Sequence, residues 1–351
     1  MIEPLERRRL VEFFEAASSR FEAAGAKAGL REFWFKIAGQ PVRTRFAGEA
    51  LAGMMTPALE HLATAPALQA ALTVSFFDSE STTTPMCEPP WTPDCYGPKG
   101  EITGYNDDRI RTAYQPGIDL LHTIDRQRGE AIYWAPSFKL VPWWEMSFPM
   151  RTILHWWALG QPVQPVHAGA VGLPSGGVLI AGKSGTGKST STLACLNSEL
   201  LYGGDDYVMI RNRPEPFVHS LYSTAKIEPY NLERFPELSR WLANPDRLTT
   251  EKAMFFLNRT HPEKLTPGFP VRAIVIPRVT GLPYTTLKKA SPIQALTALA
   301  PTTIMHLPGA SDEAFEKMRE FVFQVPCYTL EAGTELAGIP EAILGLLKRG
   351  V

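Results

Sequence analysis

The sequence is poor in cysteine, in net charge and in long apolar runs, and each shortage removes a class of protein. Four cysteines in 351 residues, at Cys87, Cys95, Cys195 and Cys327, are too few for a disulfide scaffold of this length, and no two of them form a C-x-x-C pair. Cys87 and Cys95 lie in a loop-like stretch and could share a metal. No histidine flanks them closely, so ordinary thiols are the simpler reading. The formal net charge is −1, and no long Lys/Arg run is present to neutralise nucleic-acid phosphates or an anionic membrane. Small molecules or proteins are therefore the expected partners, with no nucleic acid and no membrane. The segment from Met1 to Phe21 is interrupted by Glu3, Glu6, Arg7, Arg8, Arg9, Glu12 and Glu15, which excludes a signal-peptide core. No other stretch reaches transmembrane length. A cytoplasmic protein is expected.

The length allows two domains, taken here as residues 1–150 and 151–351. In the first, residues 4 to 24 place Leu5, Leu10, Val11, Phe13, Phe14 and Phe21 at near-helical spacing among charges, which predicts an amphipathic helix. Glu32 to Ile37 and Val42 to Phe46 read as two strands joined by a turn. Leu51 to Ala71 has helical texture broken at Pro57 and Pro66, and Leu72 to Phe77 returns to strand character. Residues 78 to 105 are dense in Ser, Thr, Pro, Gly and Asp and read as a long surface loop. Strands follow at Ile110 to Tyr114, Ile118 to Ile124, Ala131 to Trp134 and Phe138 to Val141, and a helix at Met150 to Leu159 leads into the second domain. Trp143, Trp144, Trp156 and Trp157 read as aromatic core or seam rather than a stacking platform.

The second half alternates strands and helices. Strands are expected at Val163 to Val171, Val178 to Ala181, Tyr207 to Arg211, Arg272 to Ile276 and Tyr328 to Glu331. Helices are expected at Lys188 to Asn197, Ala310 to Gln324 and Glu341 to Lys348. The fold class is α/β or, over the whole chain, α+β.

Residues 182 to 189, Gly-Lys-Ser-Gly-Thr-Gly-Lys-Ser, match G-x-x-x-x-G-K-[ST], with a buried strand expected before them and a helix after. Gly182, Gly185 and Gly187 let successive N–H groups turn towards phosphate oxygens, and the helix N-terminus adds its positive end. Lys188 supplies a cation for the outer phosphates and Ser189 a hydroxyl for Mg²⁺. Ser184, Thr186 and Thr190 complete the contact segment, and Lys183 is a variable position expected to be mostly solvated. A nucleotide or similar polyphosphate is the implied ligand. Gly203-Gly204-Asp205-Asp206 offers two adjacent carboxylates that could divide base and metal duties, or it is a plain turn. His167, one strand ahead of the P-loop strand, is either a hydrogen-bonded core residue or a partner for Asp206.

The order His167-Ala-Gly-Ala-Val, then Gly-Lys-Ser-Gly-Thr-Gly-Lys-Ser, then Gly204-Asp205-Asp206-Tyr-Val resembles the catalytic domain of HPr kinase/phosphorylase, a P-loop fold related to phosphoenolpyruvate carboxykinase. The resemblance covers about residues 160 to 310. It implies ATP and Mg²⁺, with Asp205 as general base on an acceptor hydroxyl and His167 and Asp206 tuning the site. It also implies Lys226 as the replacement for a basic group, Ser189, Asp206 and Glu228 as metal contacts, and Arg278 as a later phosphate contact. The family's Arg-Gly-Leu-Gly core is missing from the segment at 220–228, which puts phosphorylase activity and HPr itself in doubt. The front half is similar to HPr-kinase-like proteins of peptide natural-product pathways, including lasso-peptide precursor serine kinases. The leading expectation is a kinase for a serine-type hydroxyl on a peptide or protein. A small-metabolite kinase and a nucleotide-sensing binding module are the alternatives, and a homo-oligomer is compatible with the chain.

Overall fold

The computed structural model describes residues 4–309 and 312–350. They form two units, each mixing helices with a mixed sheet, so the architecture is α+β. The first unit holds the described residues up to Pro57, then Leu62–Gly160 and 306–309; the second holds 58–61, 161–305 and the residues from 312 on.

The first unit runs α1 (Pro4–Ala28), β1 (Leu30–Ile37), β2 (Gln40–Ala47), α2 (Ala50–Met55), β3 (Leu72–Asp78), α3 (Ser79–Thr82), β4 (Ile110–Gln115), β5 (Leu120–Asp125), β6 (Glu130–Ala135), α4 (Trp143–Ser147) and α5 (Arg151–Ala158). Its six strands lie in the order β1-β2-β3-β6-β5-β4. The amphipathic helix is present, and Leu10, Phe14, Ala17, Phe21 and Ala24 pack on Phe77, Ile110 and Ile132. Those positions recur every three or four residues, the spacing that keeps one helical face on a sheet. The expected hairpin is β1–β2, paired antiparallel.

Two expectations fail here. Of the 51–71 stretch only Ala50–Met55 is α-helix: Thr56 still has helical backbone, proline at 57 has no N–H to continue the ladder, and after that expected break the chain makes only a 3₁₀ turn at Glu60–Leu62. Phe138–Leu140 is a 3₁₀ turn rather than a strand, begun by Ser137, whose hydroxyl accepts from the Lys139 N–H at 3.2 Å.

The second unit runs β7 (Val163–Val166), β8 (Ala168–Leu173), β9 (Gly176–Ala181), α6 (Lys188–Ala194), β10 (Leu201–Gly204), β11 (Val208–Arg211), β12 (Phe217–Ser220), β13 (Thr224–Ile227), β14 (Ala253–Phe256), α7 (Leu257–Thr260), β15 (Gly268–Val279), β16 (Thr286–Ala290), α8 (Pro292–His306), α9 (Asp312–Phe323), β17 (Cys327–Ala332) and α10 (Gly338–Lys348). Seven strands follow the order β10-β8-β9-β15-β12-β11-β7; β17 pairs in parallel with β15 and carries β16 on its other edge. β13 and β14 form a separate two-stranded sheet.

β9 shows why helices cover both faces of this sheet. Leu179 and Ala181 join a core with Leu299, Met318, Phe321 and Val322 of α8 and α9. Val178 and Ile180 point the other way, to Ile339, Ile343 and Leu346 of α10. The period-two alternation of a strand buried on both sides makes its sequence continuously apolar. Val178, Leu179 and Ile180 each contribute about 1.5–3 kcal/mol by leaving water.

The single strand expected over 163–171 is broken at His167. β7 pairs with β11 and β8 with β9, so the chain changes neighbours there, and the His167 N–H is satisfied by the Thr303 hydroxyl at 2.9 Å instead. Strand β10 and helix α8 were not foreseen: the two glycines of the Leu-Tyr-Gly-Gly run disfavour a strand, and Pro301 sits inside the helix. Residues 310 and 311 of the helix expected over 310–324 lie outside the described residues; its remainder matches α9.

Candidate phosphate and proton-transfer site

The segment 182–189 connects β9 to α6, the strand, loop and helix that the motif requires. Two of its glycines adopt backbone that L-residues avoid, Gly185 at φ 81° and Gly187 at φ 99°. A Cβ on Gly182 would sit 2.5 Å from the Thr186 Oγ1, so the first position is closed to side chains by packing. Thr186 Oγ1 donates to the Lys183 carbonyl at 2.8 Å and fastens the turn. Lys183, Ser184 and Gly185 form the exposed crown, while Lys188 is buried beneath it. The Lys188 ammonium donates to the Gly182 carbonyl at 2.8 Å and to that of Lys183 at 3.3 Å.

The carboxylate pair follows β10, whose pairing with β8 shifts register between Tyr202 and Gly204. Such a bulge re-aims the residues that follow it. Asp205 is 2% exposed. Its Oδ1 accepts from the Thr192 hydroxyl at 3.0 Å and its Oδ2 from the Lys226 backbone N–H at 3.0 Å, and the Ser189 hydroxyl stands near enough to favour its charged form. Asp206 keeps 17% of its side chain exposed. Its Oδ1 meets His167 Nε2 at 2.7 Å and its Oδ2 the Lys226 ammonium at 2.6 Å. An ionised carboxylate only accepts, so the His167 proton lies on Nε2. Tyr207 packs against the imidazole with ring centroids 5.3 Å apart.

The two aspartates are pushed in opposite directions. Burial, with the Asp206 charge added to it, raises Asp205 to about 6, against the Lys226 hydrogen bond and the nearby Ser189 hydroxyl. Burial would raise Asp206 as well, but Lys226 and His167 outweigh it and hold that carboxyl well below the ordinary range. Burial lowers His167, Lys188 and Lys226, each partly offset by Asp206. Asp206 therefore stays charged over a range of pH in which Asp205 still holds a proton.

The structure thus brings His167, Lys188, Ser189, Asp205, Asp206 and Lys226 together. Thr190 lies half-buried in the first turn of α6. Glu228 is bonded to Lys252 at 2.9 Å. Arg278, near the end of β15, is paired with Glu331, which Lys288 also reaches at 3.0 Å. Its neighbour Val279 lines the loop, with Cγ2 3.3 Å from where a Cβ on Gly187 would stand.

Two residues escaped the sequence reading. Thr192 lies three positions after Ser189, on the same face of α6, a spacing that could have flagged it. Lys252 stands at the head of the apolar run Ala253–Phe256 and feels the charges of both aspartates; only the pairing of β14 with β13 brings it here.

A Mg²⁺ ion finds a suitable donor set in the Ser189 hydroxyl beside the Asp205 carboxylate. This ion keeps several waters and takes few protein ligands when phosphates supply the rest. Among the described residues no cluster of three or more His, Cys, Asp or Glu side chains offers a complete metal cage. None of the described helices is long and apolar enough to cross a membrane.

No protein-family profile matches the chain, and no curated protein matches it. Among solved structures, it is similar to the Hpr(Ser) kinase/phosphatase from Coxiella burnetii at 11% identity and a TM-score of 0.32, over 53% of this chain and 97% of that one.

Proposed function

We propose that the protein is a Mg²⁺-dependent phosphotransferase that moves the γ-phosphoryl group of ATP to a serine-type hydroxyl of a peptide or protein. The observation that carries this reading is the ion cluster His167–Asp206–Lys226 set beside a P-loop whose Lys188 feels both aspartates. A nucleotide switch needs one carboxylate for its metal; a second carboxylate with its own His167 and Lys226 partners favours an attacking hydroxyl.

In this reading Lys188 leaves the loop carbonyls for the outer phosphates, and the loop N–H groups hold the rest. Ser189 and Asp205 hold Mg²⁺, which when bound draws negative charge off the phosphate oxygens. The acceptor hydroxyl attacks the γ-phosphorus, the bond to the β-phosphate oxygen breaks, and ADP leaves. The hydroxyl proton passes to Asp206, so the base role moves from Asp205 to its neighbour. Both carboxylates have both oxygens engaged by protein groups, but Asp206 keeps 17% of its side chain exposed whereas Asp205 is almost fully buried. Geometry ranks ahead of proton affinity in naming a base. Phosphoryl transfer makes little demand on a strong base, because the transition state is loose and positioning dominates.

The segment between Glu228 and Lys252 favours a polypeptide acceptor. The excursion from Glu228 to Lys252 begins two residues after Lys226 and leaves Tyr230 and Trp241 exposed, the residue types that pack on another polypeptide. The test is transfer of labelled γ-phosphate to peptide and small-molecule fractions of an extract. Asp206→Asn is expected to lower transfer by about 100- to 1,000-fold while ATP affinity stays within about threefold. Transfer at the wild-type rate by folded Asp206→Asn sinks the base assignment, and label confined to small molecules sinks the peptide acceptor.

A further inference from the structure

The hairpin β13–β14 pairs Lys226 with Met254 and Ile227 with Ala253. One step further along the same register, Glu228 stands opposite Lys252, and their side chains join at 2.9 Å. The period of two puts Lys226, Glu228, Lys252 and Met254 on one face of the hairpin. Lys226 on that face already reaches Asp206. Lys252 therefore approaches the same cluster from the neighbouring strand, and its charge is felt by Lys188 and Lys226.

We propose that Lys252 is a second phosphate-binding cation, held by Glu228 while the site is empty and passed to the terminal phosphate when ATP binds. This rests on the phosphotransferase reading and deepens it. Three lysines face Asp205, Asp206 and Glu228, so the empty cluster is close to charge balance. A bound triphosphate adds several negative charges and needs a further cation. Lys252 is the one that can move: its side chain is 36% exposed and that of Glu228 40%, and an ion pair so exposed is held weakly. Lys226 is nearly buried and fixed on Asp206. Glu228 is accordingly a positioning residue that parks the ammonium, and Lys252 belongs to the binding of the terminal phosphate rather than of the α- and β-phosphates.

The test compares the affinities of the Mg²⁺ complexes of ADP and of the non-hydrolysable β,γ-imido analogue of ATP, measured by calorimetry on the full chain. Lys252→Met is expected to weaken the triphosphate about tenfold and leave ADP within about twofold. Glu228→Gln, which frees the ammonium, is expected to tighten the triphosphate several-fold and leave ADP unchanged. Lys188→Ala weakens both. If Lys188→Ala weakens binding but Lys252→Met and Glu228→Gln each keep the wild-type ratio of the two affinities, the inference is overturned and the phosphotransferase reading stands. Wild-type protein that binds neither nucleotide overturns both. Should Lys252→Met fail to fold, the Glu228→Gln ratio decides alone.

Discussion

Replacing Asp205 by asparagine is expected to stabilise the protein at neutral pH and not in acid. An ordinary aspartate releases its proton near 3.8, and burial beside Asp206 raises Asp205 to about 6. Between those values the folded chain holds a proton that the unfolded chain has lost, so stability falls as pH rises through this window. The difference of about two pH units corresponds to about 3 kcal/mol, at ~1.4 kcal/mol per unit. Asparagine does not titrate. Its oxygen can accept from the Lys226 N–H and its amide can donate to the Thr192 hydroxyl, so the two hydrogen bonds of the carboxylate have replacements. The variant should match the wild type at pH 4 and exceed it by about 3 kcal/mol at pH 7, or roughly 6–12 °C in Tm for a unit of this size. Urea unfolding of both proteins at fixed ionic strength from pH 4 to pH 8 reads the difference. A stability gap that stays flat or narrows as pH rises would refute the reasoning, because it would mean that Asp205 ionises in the folded protein as easily as in the unfolded one.

Other substitutions probe the loop and the first unit. Gly187→Ala forces alanine to φ 99° with its Cβ 3.3 Å from Val279 Cγ2; it should cost about 1–2 kcal/mol and weaken ATP binding more than tenfold by calorimetry. Phe14→Ala removes a ring that is 1% exposed in the core under α1 and should lower unfolding free energy by about 3–5 kcal/mol in denaturant. An effect below ~1 kcal/mol would mean that α1 does not pack as described.

Elements governed by local rules were readable from the sequence. The heptad-like apolar face of α1, the strand–loop–helix around Gly182–Ser189 and the apolar strand β9 each carry their signal within a dozen residues. Elements made by distant pairing were not. β13 and β14 are four residues each, and nothing in Thr-Ala-Lys-Ile announces that it will pair with Ala-Met-Phe-Phe beyond residues 228–252. Lys252 was invisible for that reason. The division between Asp205 and Asp206 was unreadable for another: it depends on a register shift in β10, and a shift of one residue exchanges which side chain faces inward. Glu228 was legible as a charge near the site but not as the partner of a lysine that the sequence places far away.

The grip of Lys188 on the carbonyls of Gly182 and Lys183 makes ligand capture an exchange. The ammonium is already hydrogen-bonded within the protein, so an anion that draws it away must replace two hydrogen bonds before it gains anything. A lone sulfate or phosphate repays only part of that, and a polyphosphate that engages the lysine and the loop amides together repays it in full. Under the proposed function the loop would therefore favour a ligand long enough to engage the lysine and the loop amides at once over a small anion.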